Sequence, residues 1–123
     1  MNVEQQIKSV LAADGTVSAL VTADSIARIY PVAMPQDVTM PAVCFQRVST
    51  VPVNDLGGTQ DHDWVRVQVD SWASTYSGAK ALAAAVRTAM RTTPVYGQLL
   101  MELDDYDDVV KLYRVIQDFT IYN

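Results

Sequence analysis

Between Asp61 and Arg91 the spacing of apolar residues changes once, and the two spacings predict a strand followed by a long amphipathic helix. Val65, Val67 and Val69 alternate with Trp64, Arg66, Gln68, Asp70 and Trp72, which puts the valines on one face of a strand and the other five on the opposite face. β-Branched valine suits the half-buried pleat, so the valine face is the expected core face. Ser74, Thr75 and Ser77 then offer helix N-caps, and Ala79, Leu82, Ala83, Val86, Ala89 and Met90 recur every three or four residues. Lys80, Arg87 and Arg91 fall off that stripe, and Thr92, Thr93 and Pro94 stop the helix. Burying its three large side chains is worth roughly 5 to 9 kcal/mol before entropy is counted, so the helix needs a sheet to lie on.

The rest of the chain fits around this unit. Asn2 and Gln5 are spaced as a capping box ahead of Val3, Ile7, Val10 and Leu11, and Asp14 and Gly15 end that first helix. A second short helical piece carries Val17, Leu20 and Val21. From about 28 to 41 the chain reads as an extended connection, because Pro31, Pro35 and Pro41 each remove a backbone donor. Ala42 to Ser49 predicts a strand with apolar residues on both faces, and Thr50 to Asp63 a loop or hairpin tip. Gln98 to Leu103 and Val109 to Tyr122 predict two more strands around an acidic turn of Asp104, Asp105, Asp107 and Asp108. In the last strand Tyr113, Val115, Phe119 and Ile121 share a face that Gln117 interrupts, with Leu112, Arg114, Ile116, Asp118 and Thr120 opposite. The expected fold is a single α+β domain over 1–123, an antiparallel sheet of about four strands with helices packed on one face.

A chain of 123 residues can bury about 65% of its unfolded surface in one core, so no metal or disulfide staple is needed. Cys44 is the only cysteine, which excludes an internal disulfide or a thiolate cluster and leaves it as a small buried hydrophobe. A net charge of −5 without any Lys/Arg cluster disfavours tight binding to nucleic-acid backbones. Neither a membrane-spanning apolar run nor the apolar core of a signal peptide is present, so synthesis and retention in the cytosol are expected.

Three patterns resemble chemistry. Asp61, His62 and Asp63 could hold a divalent ion or serve a small ligand, but one histidine without a second imidazole or thiolate is an incomplete donor set. The aspartates from 104 to 108 fail the EF-hand spacing, since the glycine position falls on Val109 and the glutamate position on Val115. Ser77 and Lys80 spell S-x-x-K, yet the K-T-G and S-D-N partners are missing, so helix capping explains them. Catalytic, cofactor-binding and metal-binding residues are therefore all expected to be none.

Collinear phrases carry a family resemblance instead. They are Val17-Ser18-Ala19-Leu20-Val21, Arg28-Ile29-Tyr30-Pro31, Pro35-Gln36 with Pro41, Phe45-Gln46-Arg47-Val48-Ser49 and Val67-Gln68-Val69-Asp70-Ser71-Trp72-Ala73. The helix Ala79 to Met90, Tyr106-Asp107, Tyr113-Arg114 and Asp118-Phe119 continue the order. Together they resemble the tail completion or tail terminator proteins of long-tailed bacteriophages and prophages, which join head to tail at the neck. The resemblance implies a structural virion protein with no active site. It implies a homohexameric ring that caps the tail tube, docks to the head connector and lets DNA pass without specific binding, reaching the virion from the host cytoplasm and touching no membrane. Trp64, Arg66, Gln68, Asp70 and Trp72, together with the loop Val51 to His62, are the expected oligomer contacts, and Asp104, Asp105, Asp107 and Asp108 the expected channel-facing acids. The alternatives are a small ligand-binding domain or enzyme using the Asp61-His62-Asp63 loop, and the tube terminator of a contractile injection system.

Overall fold

A computed structural model describes residues 2–23, 25–52 and 63–122. Helix α1 (Val3–Ala13) starts at the expected capping box: Asn2 Oδ1 accepts from Gln5 N–H at 2.8 Å while Gln5 Oε1 accepts from Asn2 N–H at 3.0 Å. Asp14 closes α1 and opens α2 (Gly15–Val21), its N–H donating to Val10 O and its Oδ1 accepting from Thr16 and Val17 N–H, both at 3.0 Å. Asp14→Ala removes the acceptor of two first-turn donors and is expected to cost about 1 kcal/mol, read as a lower urea midpoint with unchanged slope.

Strands β1 (Thr22–Ala23) and β2 (Ile26–Ala27) form a small antiparallel pair of their own. The main sheet contains β3 (Ile29–Pro31), β4 (Ala42–Pro52), β5 (Asp63–Ala73), β6 (Gln98–Asp107) and β7 (Leu112–Tyr122), in the order β3-β4-β5-β7-β6. It is a mixed sheet of five strands, one more than expected, because Ile29–Pro31 pairs parallel to β4. Pro31 sits on the sheet's outermost strand, where a missing N–H leaves no ladder gap. All other pairings in the main sheet are antiparallel.

Helix α3 (Tyr76–Met90) joins β5 to β6, and its cap is Thr75 rather than Ser74 or Ser77: Thr75 Oγ1 accepts from Gly78 N–H at 3.0 Å. A Cβ at Gly78 would lie 2.8 Å from that oxygen and 3.3 Å from Ala73 Cβ, so glycine permits the cap and the close approach of helix to strand. All six stripe residues are buried, together with Ala85.

The three helices cover one face of the sheet. Ile7, Leu11, Val17, Val21, Leu82, Val86 and Met90 meet Val43, Phe45, Val65, Val67, Val69, Phe119 and Ile121 there. Ala73, Ala79, Ala83 and Val115 form a smaller cluster beside it. Gln117, fully buried in this face, donates to Ala83 O at 3.1 Å and to Glu102 Oε1 at 2.8 Å, which accounts for the polar break in the last strand.

Three expected boundaries move, the last strand beginning at Leu112 and not at Val109. β4 runs to Pro52 through a bulge at Val48, and it is not buried on both faces: Val48 and Val51 are exposed, because among the described residues no helix covers the far side of the sheet and the connection at Val32–Met34 reaches only its other end, over Cys44 and Asp70. β6 runs on to Asp107, so Asp104, Asp105 and Asp107 lie in a strand and the turn is Asp108–Lys111. Their pairing with Val115, Arg114 and Leu112 keeps the ladder going where a run of aspartates alone would predict a break.

Candidate assembly surface

The helix-free face of the sheet is where the described structure concentrates exposed aromatic and charged side chains. Trp64, Arg66, Gln68, Asp70 and Trp72 all lie on it, as the alternation of β5 requires. Each stands in a row across the sheet. Gln68 is flanked by Gln46 and Asp118, with Met101 beyond; Trp72 is flanked by Ala42 and Arg114, with Asp105 beyond. Trp64 is 47% exposed and its ring tilts against Tyr122 with centroids 4.8 Å apart. Met101, Leu103 and Val51 are exposed on the same side.

The charges form two clusters, one at each end of this face. Arg66 donates to Asp118 Oδ2 at 2.8 Å, and Asp118 is almost fully buried although it belongs to the outward side of β7. Arg114 is the hub at the other end: it meets Asp105, approaches Asp70 at 3.6 Å, and lies 4.9 Å over the Trp72 ring. Burial pushes the Asp70 carboxyl up, opposed by its hydrogen bond from Gln68 (3.0 Å) and by Arg114. Cys44, next to Asp70 in the ladder, is half-buried on this face and not in the core; its Sγ donates to Val32 O at 3.3 Å. Burial first, and then the Asp70 charge, pushes the Cys44 thiol up, which disfavours the thiolate. Val32, Met34, Cys44, Asp70, Trp72 and Arg114 border a shallow depression of about 310 Å³.

The four expected channel acids are not brought together. Asp105 and Asp107 belong to the helix-free side, Asp104 to the helix side and Asp108 to the turn. Asp104 accepts from Tyr76 Oη at 2.6 Å and from Lys80 Nζ at 3.2 Å, and these two donors hold its carboxyl below the usual range. Arg114 does the same for Asp105. Asp107 Oδ1 accepts from Val109 and Val110 N–H, at 3.0 and 3.3 Å, and so shapes the turn. Lys80, the lysine of S-x-x-K, is occupied by Asp104 and by Glu102 at 3.6 Å.

Residues 53–62 of the expected contact loop, Asp61 and His62 among them, lie outside the described residues, and Asp63 opens β5 opposite Pro52. Among the described residues no three His, Cys, Asp or Glu side chains gather as metal ligands, and no helix is long and apolar enough to cross a membrane. Sequence reasoning missed Arg114 and Asp118 as residues of the two surface clusters. The available signal was two charges within an otherwise apolar strand.

The model of the family described as tail completion protein gp17 matches residues 5–122. The chain belongs to the tail completion gp17 family. As a tail completion protein it is a structural component of a phage tail and not an enzyme, which removes the reading of the Asp61-His62-Asp63 loop as an active site. A chain of the virion of a native gene transfer agent particle shares the fold, with a TM-score of 0.76 at 18% identity over 98% of this chain and 92% of that one. No curated protein matches.

Proposed function

We propose that this tail completion protein forms a ring, a hexamer, at the end of the tail tube, terminating the tail and joining it to the head connector. The observation that carries the reading is a family match over nearly the whole chain, on a fold whose sheet, among the described residues, is covered by helices on one side only. A five-stranded sheet with exposed Trp64, Tyr122, Met101 and Leu103 has an apolar face that a partner can cover. Aromatic residues and arginine are the usual anchors of such contacts, so Trp64, Arg66, Gln68, Asp70 and Trp72 contribute to the contact between copies. The net charge of −5 supports a channel through which DNA slides without being held, with Asp107 and Asp108 the least neutralised of the four expected acids. Assembly takes place in the host cytoplasm and ends in the virion.

Electron microscopy of the purified protein, alone and with tail tubes of matching origin, tests this. Rings, or caps that stop tube growth, are expected. Trp64→Ala leaves Val65, Val67 and Val69 in the core, so its monomer should melt normally while ring yield falls at least about tenfold. Arg66→Glu is a poorer probe, because it also sets a second carboxylate against buried Asp118; Arg66→Gln avoids that. A protein indifferent to tubes sinks the ring.

A further inference from the structure

The two edges of the main sheet differ. In an antiparallel ladder, residues whose N–H and C=O face one neighbour alternate with residues that face the other. Val43 N–H donates to Arg28 O at 2.9 Å and Phe45 O accepts from Val32 N–H at 2.7 Å, so on β4 these two turn towards β3. Carried through the registers of β5 and β7, the alternation leaves Leu99, Glu102, Asp104 and Tyr106 of β6 with N–H and C=O on the outer edge. No strand among the described residues pairs there; β6 contains no proline, and beyond the irregularity between Leu99 and Met101 its protection is its acidic charge, which turns away a like-charged edge but not a basic one. The opposite edge is stepped. β3 covers β4 only from Val43 to Phe45 and is itself blunted by Pro31, which leaves Gln46 to Pro52 as the open half. The same alternation turns Arg47 outward before the bulge at Val48, and Thr50 and Pro52 after it, Pro52 offering only its C=O.

Charge decides which edges can meet. β6 carries Glu102, Asp104, Asp105 and Asp107 and no Lys or Arg, so two β6 edges in a two-fold dimer would set like charges against each other. The open half of β4 carries one charge, Arg47. Its side chain lies on the helix-covered side of the sheet, as do those of Glu102 and Asp104. Arg47 already meets Glu4 through Nε at 3.1 Å, and its other donors can serve a second carboxylate. Strand order supplies the direction: β4 and β7 run one way and β5 and β6 the other, so β6 of one copy meets β4 of the next antiparallel when both helix-free faces point the same way.

We propose that the β6 edge of one copy pairs with Gln46–Pro52 of β4 in a second copy, with Arg47 set against Glu102 and Asp104, so that the sheet runs on between copies. The contact is head-to-tail, since each copy uses one edge of each kind, and repetition about an axis closes it into a ring. It rests on the ring reading above and adds strand edges to the contact made by the sheet face.

The test compares the unsubstituted protein with Asp104→Pro, Asp104→Ala and Arg47→Glu by electron microscopy on tail tubes. Proline at 104 removes an N–H that no strand of the same copy uses, and alanine controls for the lost side chain. Rings are expected in full yield from the unsubstituted protein and in modestly reduced yield from Asp104→Ala, which leaves Glu102 opposite Arg47, with a loss of at least about tenfold for Asp104→Pro and Arg47→Glu. If Asp104→Pro does not fold, Arg47→Glu decides alone, because that side chain is half exposed and its loss leaves the core intact. Rings in full yield from Arg47→Glu, or from a folded Asp104→Pro, overturn the edge contact and leave the ring standing. No rings from the unsubstituted protein overturn both.

Discussion

Leu82→Asp is expected to abolish the fold, giving a chain without a cooperative thermal transition at neutral pH. Leu82 is fully buried in the main core, on the face of α3 that meets the sheet. Shortening it to alanine is expected to cost about 2–5 kcal/mol and leave a folded protein with a lower midpoint. Aspartate adds the desolvation of a carboxylate among aliphatic neighbours, and the sum exceeds the roughly 5–15 kcal/mol that holds a domain of this size together. Circular dichroism melts of both variants check this. A cooperative melt for Leu82→Asp would mean that α3 can leave the sheet without unfolding it.

Arg114→Glu should have the second largest effect, through charge rather than volume. The Asp70 and Arg114 side chains are 13% and 27% exposed, so reversing Arg114 leaves a largely buried Asp70 facing a like charge. Breaking such a pair costs about 3–5 kcal/mol, on the order of 10–20 °C in melting midpoint. The pH dependence identifies the cause. In the unsubstituted protein Asp104 and Asp105 have lowered folded-state values, so their contribution is present above the ordinary carboxylate range near pH 4 and is lost as pH falls through their folded values. Asp70 has the opposite sign. Burial raises it, its charge is a penalty above its folded value, and protonation relieves that penalty. Without Arg114 it rises further, so on acidification from pH 7 to pH 5 Arg114→Glu should gain more stability than the unsubstituted protein does. Adding Asp70→Asn should recover much of the loss at pH 7. A variant that melts at the same temperature at both pH values, with or without Asp70→Asn, would show that Arg114 acts only through packing on Trp72.

Elements whose local spacing and burial agree were legible. The alternation of β5, the α3 stripe and the Asn2–Gln5 box each follow from neighbours a few residues apart, and each was found where expected. The bounds of β4 and β6 were not, because a ladder partner decides them. Val48 is accommodated by a bulge against β5, and Asp104, Asp105 and Asp107 stay extended because β7 lies beside them. A short strand such as Ile29–Pro31 has too little local signal to announce itself, and only its place beside Val43–Phe45 makes it one.

The candidate site divides in the same way. The five outward residues of β5 were readable, since period-2 alternation fixes the side of the sheet without knowledge of any other strand. Their partners were not. Arg66 finds Asp118 across 52 positions, and Lys80 finds Asp104 across 24. The sequence by itself thus determined the capping box of α1, the core faces of β5 and α3 and the collinear phrases of the tail completion family, because these depend on spacing along one chain. Only the tertiary structure decided which charges neutralise one another and, among the described residues, that one face of the sheet carries no helix and which strand edges have no neighbour, because these depend on which strands lie side by side.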